Sequence, residues 1–165
     1  ILSGLVGSEM CIRDRRNTSV LSYKMTMADA SNPSGIIPVG RQFDFWGDAE
    51  TELMILNDGD ESLCLGYTNV ELYDDIYVGD QMDFKATLVK VGNTSRTCKV
   101  QSFKVATLKS RIDKNCTDKE EMHYFEEPEL VGGGTVVLVV RKHLQRGRQP
   151  DGLVIDPWKE YKGEK

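Results

Sequence analysis

Between residues 36 and 56 the apolar positions Val39, Phe43, Trp46, Ala49, Leu53 and Leu56 recur at spacings of three and four. That is the period of a helix with one covered face. Pro38 suits its first turn, and Ser34 or Gly35 is a candidate cap. Asn57-Asp58-Gly59-Asp60 ends it, with Gly59 offering the positive φ of a C-terminal cap. Beyond this point the period becomes two. Residues 62–72 alternate through Leu63, Leu65, Tyr67 and Val70. Residues 81–91 put Met82, Phe84, Ala86 and Leu88 on one face, and residues 95–108 do the same with Cys98, Val100, Ser102 and Lys104. Residues 135–141 are apolar and β-branched, as a buried strand requires. A short first strand is predicted over 22–29, a loop over 30–35, a connection over 74–80, a turn at Gly92-Asn93 and an acidic loop over 118–129.

The order is therefore strand, one long helix, then four strands able to follow one another in an antiparallel sheet. A lone helix needs a sheet to cover its apolar face. The fold class expected is α+β.

A chain of 165 residues suits one domain with a substantial core. Its net charge of -5 and the lack of a basic stripe interleaved with aromatics argue against nucleic-acid binding. No apolar run is long enough to span a bilayer. The opening stretch, Leu5-Val-Gly-Ser-Glu-Met-Cys-Ile-Arg-Asp-Arg15, resembles a translated sequencing-library adapter. Residues 1–15 are accordingly expected to have no biological role, which leaves 16–144 as the domain and 145–165 as a polar, flexible tail. Without Cys11, the three cysteines Cys64, Cys98 and Cys116 have unrelated spacings. This predicts reduced thiols in a cytoplasmic protein, and no zinc pattern.

The helix carries the candidate chemistry. Asp44, Asp48 and Glu52 form a row at helical spacing, with Arg41 near it. Two neighbouring carboxylates can be driven to different pKa values and divide acid and base roles. A solvated acidic face is the plainer alternative, and the helix alone does not exclude it. Glu52 lies at the border with the apolar residues Phe45 and Leu56, which favours partial desolvation. Gly132-Gly133-Gly134 lacks the Lys-Ser/Thr of a phosphate loop and reads as the entry to the last strand. His123 and His143 have no metal spacing. The turn Gly92-Asn93-Thr94-Ser95 offers backbone and hydroxyl donors, and Arg96, Arg141, Lys142, Arg146 and Arg148 are candidate cations for a phosphate-rich ligand.

Several short stretches carry a resemblance when taken as a set. They are Trp46-Gly47-Asp48, Thr51-Glu52-Leu53-Met54, Asp58-Gly59-Asp60, Leu65-Gly66-Tyr67, Tyr77-Val78-Gly79-Asp80, Val91-Gly92-Asn93, Thr97-Cys98-Lys99 and Lys104-Val105-Ala106. Together, over about residues 25–142, the chain resembles the β-aminoacyl-CoA ammonia-lyases of the hotdog superfamily. It departs from that family's pattern before the helix, where Ser31, Asn32 and Pro33 stand in place of the usual residues, and at Asp75, where the family often has proline.

The resemblance implies a hotdog fold, with a curved antiparallel sheet wrapping one long helix. It implies elimination of ammonia from a 3-aminoacyl-CoA, such as 3-aminobutyryl-CoA or β-alanyl-CoA, to give a 2-enoyl-CoA. Glu52 is expected as the base and Asp48 as the ammonium partner or proton shuttle. Backbone N–H groups at Gly35 to Ile37 would serve the enolate oxygen. The implied substrate- and coenzyme-A-binding set is Gly35, Ile36, Ile37, Tyr67, Gly92, Asn93, Thr94, Ser95 and Arg96. No metal or other cofactor is required, since coenzyme A is part of the substrate. A homodimer or trimer of dimers is implied. An acyl-CoA thioesterase and a non-catalytic acyl-CoA binding module are the alternatives.

Overall fold

The computed structural model describes residues 16–150; the adapter-like segment and residues 151–165 of the tail lie outside them. Strand β1 (Thr18–Lys24) leads to a one-turn helix α1 (Met27–Ala30) and the long helix α2 (Val39–Asp58). Strands β2 (Leu63–Leu72), β3 (Gln81–Val91) and β4 (Ser95–Leu108) follow, then a short helix α3 (Lys109–Ile112) and β5 (Met122–Val139). The five strands form one sheet in the order β1-β3-β4-β5-β2, with every pairing antiparallel.

β3 and β4 begin and end where the alternation does. Met82, Phe84, Ala86 and Leu88 on one strand, and Cys98 and Val100 on the other, face the core beneath α2. Trp46, Ala49 and Leu53 close that core from the helix, and all three are fully buried. Each large side chain so buried contributes about 1.5–3 kcal/mol relative to exposure. The buried Trp46 indole donates from Nε1 to Ser102 Oγ at 3.0 Å, and Ser102 Oγ donates to Gln42 Oε1 at 3.1 Å. A polar chain thus crosses the helix–sheet interface with its donors satisfied.

Three expectations are corrected. First, β1 starts four residues earlier than predicted, and residues 27–30 form α1. The signal was present: Thr26 and Asp29 make a capping box, with the Thr26 amide donating to Asp29 Oδ2 at 2.8 Å. Second, α2 begins at Val39, with Pro38 as its N-cap rather than inside its first turn, while Gly59 caps its C-terminus at φ 70° as expected. Third, the acidic stretch 118–129 is largely strand: β5 starts at Met122 and pairs along β4, placing Glu129 opposite Lys104 and Tyr124 opposite Ala106. Its carboxylates point to solvent, so the charges masked a strand whose partner is β4. Pro128 sits where the register shifts, a position that tolerates the missing N–H.

β2 is an edge strand, and its apolar residues do not all turn inward. Tyr67 and Val70 are half-buried, but Leu63 is 54% and Leu65 68% exposed. Register shifts between Cys64 and Gly66 and between Thr68 and Glu71 break the alternation.

Candidate active site

Helix α2 presents acids on two opposite flanks. Successive residues turn by about 100°, so Asp48 and Glu52 share the flank toward β1, while Glu50 faces β2. On the first flank the half-buried Glu52 accepts a hydrogen bond from Ser19 Oγ of β1 at 2.8 Å. Asp48 stands one turn before it. Asp48 is exposed, yet partial desolvation pushes its carboxyl above the usual range; Arg41 opposes the shift and Asp44 adds to it. Arg41 holds Asp29 at 3.0 Å and Asp44 at 3.2 Å, and its guanidinium lies 4.4 Å from the Phe45 ring centroid. Tyr23 joins this group: burial first, then the Asp48 and Glu52 carboxylates, push its hydroxyl upward. Asp44, the first acid of the row, is exposed. The sequence reading did not include Ser19 or Tyr23, because only strand pairing brings β1 alongside α2.

On the second flank Glu50 is 4% exposed. Both its oxygens accept from the Tyr67 hydroxyl, each at 3.1 Å. Burial pushes its carboxyl up to about 7, against the downward pull of the Tyr67 hydrogen bond. The Tyr67 hydroxyl is itself pushed up, by burial and then by the Glu50 charge. Phe43 and Tyr67 meet edge to face at 4.8 Å, and Trp46 lies 5.0 Å from Phe43. Glu50 was missed by the sequence reading. Its signal is an acid four residues after Trp46 and three before Leu53, inside the apolar stripe.

The remaining expected residues separate to the two ends of α2, a helix about 30 Å long. Gly35, Ile36 and Ile37 lie at its N-terminal end. The Gly35 amide donates to Asn32 Oδ1 at 3.2 Å, Ile36 to Ser34 Oγ at 3.3 Å and Ile37 to the Ile76 carbonyl at 2.8 Å. These three amides already have acceptors, which removes them as donors to an oxyanion. The amides of Val39 and Gly40, in the first turn of α2, have no intrahelical acceptor and take their place as candidates.

The 92–96 turn lies at the C-terminal end. The Gly92 amide donates to the Ser95 carbonyl at 2.8 Å, the Thr94 carbonyl accepts from Val140 at 2.8 Å, and the Asn93 carbonyl accepts from Gln145 Nε2 at 2.8 Å. Arg96 is corrected from ligand cation to structural residue. It is 1% exposed, donates to Asp58 from Nε at 2.9 Å and NH2 at 3.0 Å, and donates from NH1 to the Gly92 and Ser95 carbonyls. Four of its five N–H donors are thus engaged within the protein, and the guanidinium is closed off from solvent. Gln145, Arg146 and Gln149 lie against the same end, donating to Val140, Asp58 and Leu56 carbonyls, so the described start of the tail is packed rather than free.

A five-stranded antiparallel sheet with one long helix across it, and carboxylates on that helix, defines a hotdog-fold protein with an acid-lined helix. A hexameric hotdog-fold thioesterase of Campylobacter jejuni shares that fold, with a TM-score of 0.58 at 19% identity over 79% of this chain and 86% of that one. The β-alanyl-CoA:ammonia lyase of Clostridium propionicum is more similar, with a TM-score of 0.74 and 36% identity over 82% of this chain and 93% of that one. In sequence, the 3-aminobutyryl-CoA ammonia lyase of Acetoanaerobium sticklandii is 33% identical over 128 residues, spanning 78% of this chain and 98% of that protein. No protein-family model matches the chain. The chain belongs to the family of 3-aminobutyryl-CoA ammonia lyase.

Proposed function

We propose that this protein is a carbon–nitrogen lyase that eliminates ammonia from a 3-aminoacyl-CoA, 3-aminobutyryl-CoA or β-alanyl-CoA, and catalyses the reverse addition. The observation that carries the proposal is 33% identity running over nearly the whole length of an ammonia lyase, with Asp48 and Glu52 both present on α2.

In this reading Glu52 takes the proton α to the thioester carbonyl. The hydrogen bond from Ser19 holds the carboxylate in place and leaves its second oxygen for the substrate. The enolate oxygen that develops is met by the Val39 and Gly40 amides at the positive end of α2. The electron pair then returns, the carbon–nitrogen bond breaks, and ammonia leaves. The proton on Glu52 passes through Asp48 to the ammonia, which departs as ammonium. As written, the reaction uses no metal or further cofactor. A carboxyl raised by desolvation at Asp48 suits a group that must both accept and give a proton.

The proposal includes assembly as a homodimer or trimer of dimers. The open β2 edge, carrying exposed Leu63 and Leu65, supports a second copy pairing there. It also includes a cytoplasmic location, supported by free thiols at Cys64, Cys98 and Cys116. No helix of the described residues is long and apolar enough to cross a membrane.

The test is to mix the protein with crotonyl-CoA and ammonia and follow enoyl absorbance beside free thiol. Loss of enoyl absorbance without thiol release supports the lyase. Thiol release without ammonia addition indicates a thioesterase, and binding with neither signal indicates a carrier module.

A further inference from the structure

With Arg96 enclosed, the phosphates of a coenzyme A thioester need another cation, on a chain whose net charge is -5. Among the described residues, Asp29 and Asp44 hold the Arg41 guanidinium, Asp58 holds Arg96, and the Gly59 carbonyl accepts from Arg146. Arg16 and Arg148 have partners as well. Arg111 and Arg141 remain. Both are exposed, and neither pairs with a carboxylate of the described residues.

Of these two, Arg111 is the one held by a ring. It lies on α3, and its guanidinium carbon sits 3.8 Å from the centroid of the half-buried Tyr77 ring. Cation–π attraction fixes the group without neutralising it. The N–H donors of a guanidinium point outward in its own plane, in a fork that matches a phosphate. Lys104 Nζ lies 5.7 Å from the same ring, but Asp74 and Asp80 hold that buried ammonium at 3.2 and 3.4 Å.

Tyr77 also sets where this cation stands. Its backbone bridges Ile36 in the loop before α2. Bridged Cα atoms lie about 5 Å apart, and the three residues from Ile36 to Val39 span at most about 11 Å, so the Tyr77 backbone is within about 16 Å of the first turn of α2. That turn carries the Val39 and Gly40 amides read above as donors to the thioester oxygen. The long pantetheine arm of coenzyme A can bridge such a span between thioester and pyrophosphate. Arg141, by contrast, follows the end of β5, where the Val140 amide donates to the Thr94 carbonyl at the C-terminal end of α2.

We propose that Arg111, stacked on Tyr77, binds the phosphates of the coenzyme A part of the substrate. The inference rests on the acyl-CoA reading of the site, not on which bond the protein breaks. Arg111 is a substrate-positioning residue, remote from the reacting atoms. Its contact is the same in the ground state and the transition state, so its loss raises KM and leaves kcat in place.

The experiment measures the Kd of coenzyme A by calorimetry for the whole protein as wild type, Arg111→Gln, Tyr77→Phe and Arg141→Gln. Arg111→Gln is expected to bind about tenfold or more weakly, with a shallower dependence on salt. Tyr77→Phe keeps the ring and Arg141→Gln keeps the stack, so both are expected to bind like wild type. Kinetics with ammonia then compare crotonyl-CoA with the crotonyl thioester of N-acetylcysteamine, which has no phosphate. Arg111→Gln is expected to raise KM for the first and leave it unchanged for the second, with kcat kept for both. Wild-type Kd and salt dependence in Arg111→Gln overturn the inference. An equal loss with the phosphate-free thioester overturns it too, because Arg111 then acts on the acyl site or the fold. Weakened coenzyme A binding in Arg111→Gln, beside a wild type that adds no ammonia, leaves the phosphate contact standing and removes the lyase reading instead.

Discussion

Both carboxylate oxygens of Glu50 accept from one donor, the Tyr67 hydroxyl, at 3.1 Å each. The bond joins the one acid buried in the apolar stripe of α2 to the edge strand β2. Because burial raises the folded-state pKa of Glu50 from 4.5 to about 7, the folded state binds a proton more tightly than the unfolded chain. The stabilisation is fully present below pH 4.5 and is lost as the pH rises to about 7. Glu50→Gln, which removes the titration, is expected to unfold like wild type near pH 4 and to be more stable above pH 7, by up to about 3 kcal/mol. Urea denaturation at pH 4.5, 6 and 8 checks this.

Arg96 ties the 92–95 turn to the end of α2 through the buried Asp58. Removing one partner strands the other charge in the interior. Arg96→Ala is expected to cost about 3–5 kcal/mol, and Arg96→Lys also destabilises because lysine cannot form the two-point contact. If Arg96 instead held coenzyme A, Arg96→Ala would weaken coenzyme A binding while leaving the urea midpoint in place.

Gly79 adopts φ +91°, and an added Cβ would lie 2.8 Å from two atoms of the Leu108 side chain. Gly79→Ala meets both backbone strain and a clash, so a loss of about 2 kcal/mol or more is expected in thermal unfolding. Gly47 has nothing within 4 Å of such a Cβ. Gly47→Ala is the matching control, with stability kept or slightly raised by helix propensity.

Glu52 and Asp48 separate by their turnover. Glu52→Gln is expected to lower kcat by about a hundredfold or more. Ser19→Ala, which frees the carboxylate without removing it, gives a smaller loss. A Glu52→Gln variant that turns over normally beside an inactive Asp48→Asn variant reverses the two roles.

Much of the fold was legible in the sequence where burial follows a simple period. The edges of β3 and β4 coincide with the alternation of Met82 to Leu88 and of Cys98 to Lys104, and Gly59 marks the end of α2. β5 was hidden because its first half earns its place from pairing with β4 while showing carboxylates to solvent. The site was legible only in part. Spacing puts Asp48 and Glu52 on one flank, but not Ser19 and Tyr23 beside them, since those arrive through β1 pairing with β3. Arg96 reads as a surface cation until Asp58, far from it in sequence, is folded against it. Glu50 could have been found, because an acid within a helix's apolar stripe is either paired or functional.

The central claim is that the bond broken is carbon–nitrogen and not the thioester. Incubating the protein with 3-aminobutyryl-CoA and measuring ammonia and free coenzyme A thiol in the same sample tests it directly. Ammonia released in step with 2-enoyl-CoA, with no free thiol, is the expected result. Free thiol without ammonia would contradict it.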